Sequence, residues 1–300
     1  MSAQYFRFSA HTPADPRRSP LLEWLLARAD TFAWSSDWRV DAFRVIAPQA
    51  ATMPAVAAAA LYADRGAMEA AWVCIAAPVH YLAEMNNVRL APEGMPTLRP
   101  DEAEALALDF NRVWSDSGTR LLAGRSAVLY CIFDRALQVT TRDPEDAVGR
   151  HIEEYLPVGG GAPLLKQLMS EIEMWLFEHP VNGARAAQGL TPITGLWLWG
   201  GGTAITSLPT IQGFCAGNDV FFNAFTRQAA GGGVIVMPDV PGSDAWREAE
   251  SRWLKPAVAQ LREGVISRLD LSAGARCLSV SARALLRFWR RRKPWWEWFA

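Results

Sequence analysis

The 300-residue chain is poor in histidine and cysteine, with four of each, and has no surplus of either charge. Cys74, Cys131, Cys215 and Cys277 lie far apart and nowhere form a CxxC, which argues against a thiolate metal knot or a redox dithiol. "WVCIA", "LYCIF" and "GFCAG" set three of them among apolar neighbours, so buried free thiols and a reducing compartment are expected. The 30 basic and 31 acidic side chains leave a net charge of −1, too little to attract nucleic acid or an anionic membrane through a global field. The opening residues, "MSAQYFRFSAHTPADPRR", contain no apolar core of signal-peptide length. No later run reaches the roughly 20 apolar residues of a membrane span. The expected setting is the cytoplasm.

What is present is a globular composition, half hydrophobic and a fifth charged, with 14 tryptophans as its one oddity. Tryptophan serves both cores and binding surfaces, and composition alone does not choose between them. Ser19 and Pro20 open a helix whose face is Leu21, Leu22, Leu25 and Leu26. Short helices are expected in the Ala-rich stretch between Asp30 and Met68. Strands follow over Ala71–Ala76 and Val88–Leu90, with an irregular connection near Pro78. A helix from Pro100 to about Trp114 precedes an antiparallel pair, "TRLLAG" and "AVLYCIFD". "PEDAVGRHIEEYLP" is predicted helical, and "VGGGAP", Val158–Pro163, is the expected boundary between an N-terminal half, 1–157, and a C-terminal half, 164–300, if the chain is not one continuous domain.

Leu164 to Glu178 carries the strongest helical periodicity, ended by His179-Pro180 and followed by a short helix, Val181–Gln188. "ITGLWLW" is a strand, and another helix is expected after Asn218. "VIVMP" is a strand, and the helix from Ser243 towards Leu261 should kink at Pro256. A hairpin centres on Ser272-Ala273-Gly274. The alternation of helices, strands and hairpins predicts an α/β protein with a mixed sheet and flanking helices.

The densest local signal is "HPVNGARAAQGLTPITGLWLWGGG", His179–Gly202. A strand ending in Gly200, Gly201 and Gly202 would turn sharply and let a ligand reach the backbone without a Cβ in the way. Its N–H groups could form an anion nest, with Arg185 as the phosphate or carboxylate partner and Asn182 as an orienting amide. His179, Trp197 and Trp199 complete this candidate ligand-binding set. The plainer alternative makes the glycines a strand exit, the tryptophans core and Arg185 a solvated charge. No Gly-Lys-Ser/Thr follows, and consecutive glycines do not make a dinucleotide fingerprint.

Together with Glu171, Ile172 and Met174, this stretch resembles a bacterial family labelled cofactor-independent phosphoglycerate mutase, itself similar to the RpfE regulatory protein of plant-pathogen quorum-sensing gene clusters. The likeness extends to "SPLLEWLLARAD", "AALYADRG", "APVHYL" and "FWRRRKPWW". It reaches archaeal-type phosphoglycerate mutases more distantly. His179, Asn182, Arg185, Gly189, Pro192, Trp197, Trp199, Gly200 and Gly202 match their pattern, whereas Thr194 stands where the pattern has asparagine. Ser170 and Glu173 depart from the bacterial family's pattern. The resemblance implies a reduced alkaline-phosphatase-like fold. In the archaeal-type enzymes it also implies two divalent ions and a serine nucleophile.

That chemistry needs several Asp and His ligands. Here the histidines are His11, His80, His151 and His179, none in an HxxxH pair. His151 and Glu154 are i,i+3 on a predicted helix and are read as a solvated face, and His80 is placed at a strand end. No metal ligand and no cofactor is assigned. No serine lies in a GxSxG or SxxK context, and Asp219 and Asp239 suit capping as well as acid chemistry.

The C-terminal stretch interleaves Arg287, Arg290, Arg291, Arg292 and Lys293 with Phe288, Trp289, Trp295, Trp296 and Trp298. Such a mixture suits single-stranded nucleic acid or a membrane interface, but docking of the aromatics with wet arginines is the favoured expectation. The function expected is a non-catalytic or degenerate phosphoglycerate-mutase-like protein, binding a small phosphorylated or anionic ligand or acting in regulation. The alternatives are an active metal-dependent phosphotransfer enzyme and an interaction module for nucleic acid or protein working through the tail.

Overall fold

The computed structural model describes residues 2–8, 16–31, 37–85, 87–225, 232–237, 241–274 and 276–299. The chain forms two compact units, residues 1–53 with 209–300 and residues 54–208, so the second is inserted into the first. His11 and Asp239 lie outside the described residues.

The first unit starts with strand β1 (Ser2–Arg7), helix α1 (Pro20–Leu26), strand β2 (Asp30–Thr31) and helix α2 (Trp38–Ile46). Pro20 sits in the first turn of α1 as expected. Ser19 precedes it without a side-chain cap, because its hydroxyl donates to Glu250 instead. Asp37 does cap α2, accepting from the Arg39 N–H.

In the second unit come α3 (Val56–Arg65), β3 (Trp72–Val79), β4 (Tyr81–Ala83), β5 (Val88–Leu90), α4 (Pro100–Val113), β6 (Thr119–Ala123) and β7 (Leu129–Phe133). Helices α5 (Ala162–Phe177) and α6 (Pro180–Ala187) and strand β8 (Gly195–Gly202) complete it. The sheet order is β6-β7-β3-β8, antiparallel throughout, with α3 packed on β3 and β8, α4 on β6 and α5 on β8. Central β3 continues through Pro78, opposite Leu196, so the chain first breaks at His80, between β3 and β4.

Two expectations fail here. "PEDAVGRHIEEYLP" makes only single 3-10 turns, Pro144–Ala147 and Glu153–Tyr155, so His151 and Glu154 share no α-helical face. The Val158–Pro163 segment lies inside this unit: Val158 pairs with Thr140, and the Gly161 N–H donates to Gln138 O. Proximity in space, invisible in composition, makes it a tie and not a linker.

The chain then re-enters the first unit as β9 (Gly213–Ala216), β10 (Gly232–Val236), α7 (Asp244–Ala249), α8 (Lys255–Arg262), β11 (Ile266–Ala273), β12 (Arg276–Ser281) and α9 (Trp296–Phe299). Among the described residues after Asn218 and before β10, the chain makes a 3-10 turn, Phe222–Ala224, where a helix was expected. A π-turn, Glu250–Leu254, separates α7 from α8 just before Pro256, whose missing N–H cannot continue the regular ladder. The sheet runs β2-β12-β11-β1-β10-β9; β11, β1, β10 and β9 are parallel, and β12 is antiparallel to both β11 and β2. The fold is therefore α/β with a mixed sheet and flanking helices.

One face of this mixed sheet is apolar. Phe6, Phe8, Leu269, Leu271, Leu278 and Val280 pack there with residues of α1, α7 and α8. Strand alternation sends the intervening residues to the opposite face, and those are mostly polar.

Candidate functional site

The His179–Gly202 segment lies wholly in the second unit, and the side chains of Asn182, Arg185 and Trp197 bond to the protein itself. His179 caps α6: its Nδ1 accepts from the Val181 N–H at 3.2 Å, and its ring meets Trp175 edge-on at 4.7 Å. Its Nε2 faces Asp109 Oδ2 at 3.4 Å without hydrogen-bond geometry. Burial lowers the His179 pKa, and the Asp109 charge opposes that shift. Asn182 donates to Leu176 O and Ile193 O and accepts from the Ile193 N–H, each at 2.8 Å. It thereby stitches the end of α5 to the approach of β8.

Arg185 is 3% exposed and donates to Thr191 O, Thr97 O and both carboxylate oxygens of Glu102, at 2.7 to 3.2 Å. Glu102, itself 4% exposed, also closes the capping box of α4 by accepting from the Arg99 N–H. The pair locks α4 to α6. Solvated Arg185 is thus corrected. An anion arriving at its guanidinium would have to displace Glu102.

The glycines are corrected in the same way. They do not leave the strand but bulge within it: Val73 pairs with Gly202 and Ile75 with Trp199, so Gly200 and Gly201 face the single residue Cys74. Gly200 adopts φ +66°, a left-handed conformation suited to the first residue of such a bulge, and its N–H donates to Thr141 Oγ1 at 3.0 Å. A Cβ on Gly201 would collide with the Trp72 indole, and one on Gly202 with Ala55 Cβ. Close packing of neighbouring side chains therefore accounts for these two positions. Trp197 is buried and donates to Arg142 O at 2.8 Å, and Trp199 is buried beside it on the same strand. Thr194, where the related pattern has asparagine, accepts from the Tyr81 N–H at 2.6 Å and keeps a structural place. Exposed His151 stands 3.9 Å from Glu84, whereas His80 lies between Val79 and Tyr81, whose backbone groups both bond to Thr194.

The polar face of the first unit's sheet was not anticipated. Tyr5 and Arg7 on β1 stand beside Asp270 and Ser272 on β11, which in turn face Ser279 and Cys277 on β12. All six are buried. Arg7 donates to Ser272 Oγ at 3.1 Å and Gly274 O at 2.7 Å. Asp270 accepts from Arg268 Nε and Ser279 Oγ, and burial raises its pKa against the pull of Arg268. Burial also pushes up the Tyr5 hydroxyl and Cys277 thiol. Helix α2 contributes Trp38, Arg39 and Asp41. The Trp38 ring lies 5.0 Å from the Arg7 guanidinium and 4.6 Å from that of Arg39.

Asp219 accepts two hydrogen bonds from Arg39 on one oxygen and the Phe221 and Phe222 N–H groups on the other. It is a cap and a counterion together. Arg7 ends β1 and Ser272 lies near the end of parallel β11, the end of an open α/β sheet where ligands bind. The missed signal was the period-two polarity of "SAQYFR" and "RCLSVS", which is indistinguishable in sequence from a solvent-facing strand.

This donor set does not suit the two divalent ions that the resemblance implies. Among the described residues, no three His, Cys, Asp or Glu side chains form a metal-holding group. Asp219, Asp270 and Asp41 carry arginine partners, whose positive charge opposes a nearby cation.

No protein-family model matches the chain. It is 43% identical over 61 residues to a 2,3-bisphosphoglycerate-independent phosphoglycerate mutase of Methanothrix thermoacetophila, covering 20% of this chain and 16% of that one. The enzyme of the same name from Methanosarcina mazei is 29% identical over 154 residues, covering 49% and 39%. The 2,3-bisphosphoglycerate-independent phosphoglycerate mutase 2 of Methanothermobacter thermautotrophicus is 32% identical over 149 residues, covering 47% and 37%. The matched stretches thus span less than half of these relatives. A cofactor-independent phosphoglycerate mutase from Thermoplasma acidophilum aligns in structure over 93% of this chain and 89% of its own, with 12% identity and a TM-score of 0.34. In sequence, and over part of its length, this chain is distantly similar to archaeal-type cofactor-independent phosphoglycerate mutases.

Proposed function

We propose that this phosphoglycerate-mutase-like chain is catalytically degenerate and acts in a regulatory role by binding a small phosphorylated or anionic ligand, without metal-dependent phosphoryl transfer. One observation carries the reading: the first unit's buried carboxylates Asp41, Asp219 and Asp270 are engaged by arginines, as in the Arg39–Asp219 pair at 2.7 Å. The regulatory role rests on the resemblance to RpfE-like proteins. The ligand class rests on the name shared by the curated relatives. In this reading the His179–Gly202 segment, including His179, Asn182, Arg185, Trp197, Trp199 and the three glycines, is scaffold.

That shared name also favours an active mutase, and a single experiment separates the two. 3-Phosphoglycerate is titrated calorimetrically into the full chain with and without Mn²⁺, and mutase turnover is assayed in the same samples. Binding that is independent of Mn²⁺, without turnover, is the expected result. Turnover that requires Mn²⁺ would overturn the proposal in favour of the enzyme. No binding in either condition would overturn the phosphorylated ligand.

A further inference from the structure

The turn between Leu286 and Lys293 is held firmly at both ends while its centre stands in water. On one side, Arg287 donates to Arg28 O and Asp30, and Arg290 donates to Ala29 O. On the other, Trp295 is wholly buried, donates to Arg17 O at 3.0 Å, and is followed by Phe299 packed edge-on against Phe8. The expected docking of the aromatics is therefore correct for Trp295 and fails for Phe288 and Trp289, which remain 82% and 66% exposed, with Leu286 72% exposed beside them.

The charge around these side chains is equally unbalanced. No Asp or Glu occurs between Leu271 and Trp296. Arg283, Arg291, Arg292 and Lys293 are exposed, and no ion pair is found for them among the described residues. Some exposed arginines elsewhere do have an acid one helical turn away, as in Arg112–Asp109 and Arg247–Asp244. The turn thus presents an exposed apolar tip flanked in sequence by four exposed cations.

We propose that this turn is a docking surface for an anionic lipid bilayer, with Leu286, Phe288 and Trp289 entering the interfacial layer and Arg283, Arg291, Arg292 and Lys293 meeting the headgroups. Aromatic side chains gain by leaving water for that layer, and basic groups gain from an anionic surface. Single-stranded nucleic acid fits the geometry less well. The Phe288 and Trp289 rings meet at 83° with centroids 5.4 Å apart, so they offer no parallel platform for successive bases, and Leu286 has no π-face. A second copy would bring like charges together.

The test floats the full chain with vesicles of phosphatidylcholine alone or mixed with phosphatidylglycerol. Binding to the mixed vesicles only, weakened by added salt, is expected. Phe288→Ala/Trp289→Ala should weaken it roughly tenfold, and Arg291→Gln/Arg292→Gln/Lys293→Gln roughly a hundredfold, with unchanged circular dichroism. Failure to float, or equal binding to neutral vesicles, would overturn the proposal. So would tail-dependent binding of a single-stranded oligonucleotide without flotation, or self-association abolished by the double alanine variant.

Discussion

Each unit buries an arginine against a carboxylate, and the two pairs keep different company. Arg185 and Glu102 are surrounded by helix ends and backbone carbonyls, and their remaining hydrogen bonds close a capping box and hold the Thr191 loop. Arg39 and Asp219 belong with a polar sheet face that also carries Tyr5, Arg7, Asp270 and Ser272. A buried ion pair is therefore weak evidence of chemistry on its own. When its surplus donors end on backbone it fixes geometry, whereas several titratable groups gathered at strand ends mark a place where a ligand could be recognised.

The sharpest way to break this contrast is Arg185→Ala. It leaves Glu102 buried without its main counterion, so urea unfolding should show a loss of about 3–5 kcal/mol. The paired change Arg185→Met/Glu102→Leu should recover most of that, because no isolated charge then remains buried. A variant of unchanged stability that lost binding of a phosphorylated ligand would return Arg185 to a ligand site and erase the distinction between the units.

The same contrast explains what was legible in the sequence. Helices α1, α4, α5 and α6 follow from apolar periodicity and proline placement, both local signals. The β6–β7 and β11–β12 hairpins follow from adjacent strand-like runs. The insertion of residues 54–208 was not legible, because the two ends of the outer unit meet only through distant strand pairing, such as β1 with β10 and β11. The triple glycine stands out in the sequence, but the packing around it does not. Gly201 accommodates the indole of Trp72, more than a hundred positions earlier in the sequence.

That contact predicts a middle-sized effect. Gly201→Ala drives a methyl into the Trp72 ring and should destabilise the second unit by about 1–3 kcal/mol. Trp72→Leu in the same chain opens the space, so the added penalty of Gly201→Ala should shrink there, as a double-mutant cycle would read. An equal penalty in both backgrounds would mean that the glycine is required for something other than room.

The smallest effect separates the units by the sign of their response to acid. Burial lowers the folded-state pKa of His179 below its ordinary 6.5, so the unfolded chain binds the proton more readily. The contribution of neutral His179 is complete above about 6.5 and is lost as pH falls through the lower folded value. Asp270 in the first unit runs the other way: burial raises its folded pKa above 3.8, so its protonation favours the folded form as pH falls. His179→Asn keeps an acceptor at the cap while removing the titration, and it should flatten the decline of the urea midpoint below pH 6.5. Asp109→Asn removes the charge that restrains the shift and should steepen that decline. If neither variant changes the slope, the acid response of the second unit does not come from its histidine cap, and this difference between the units disappears.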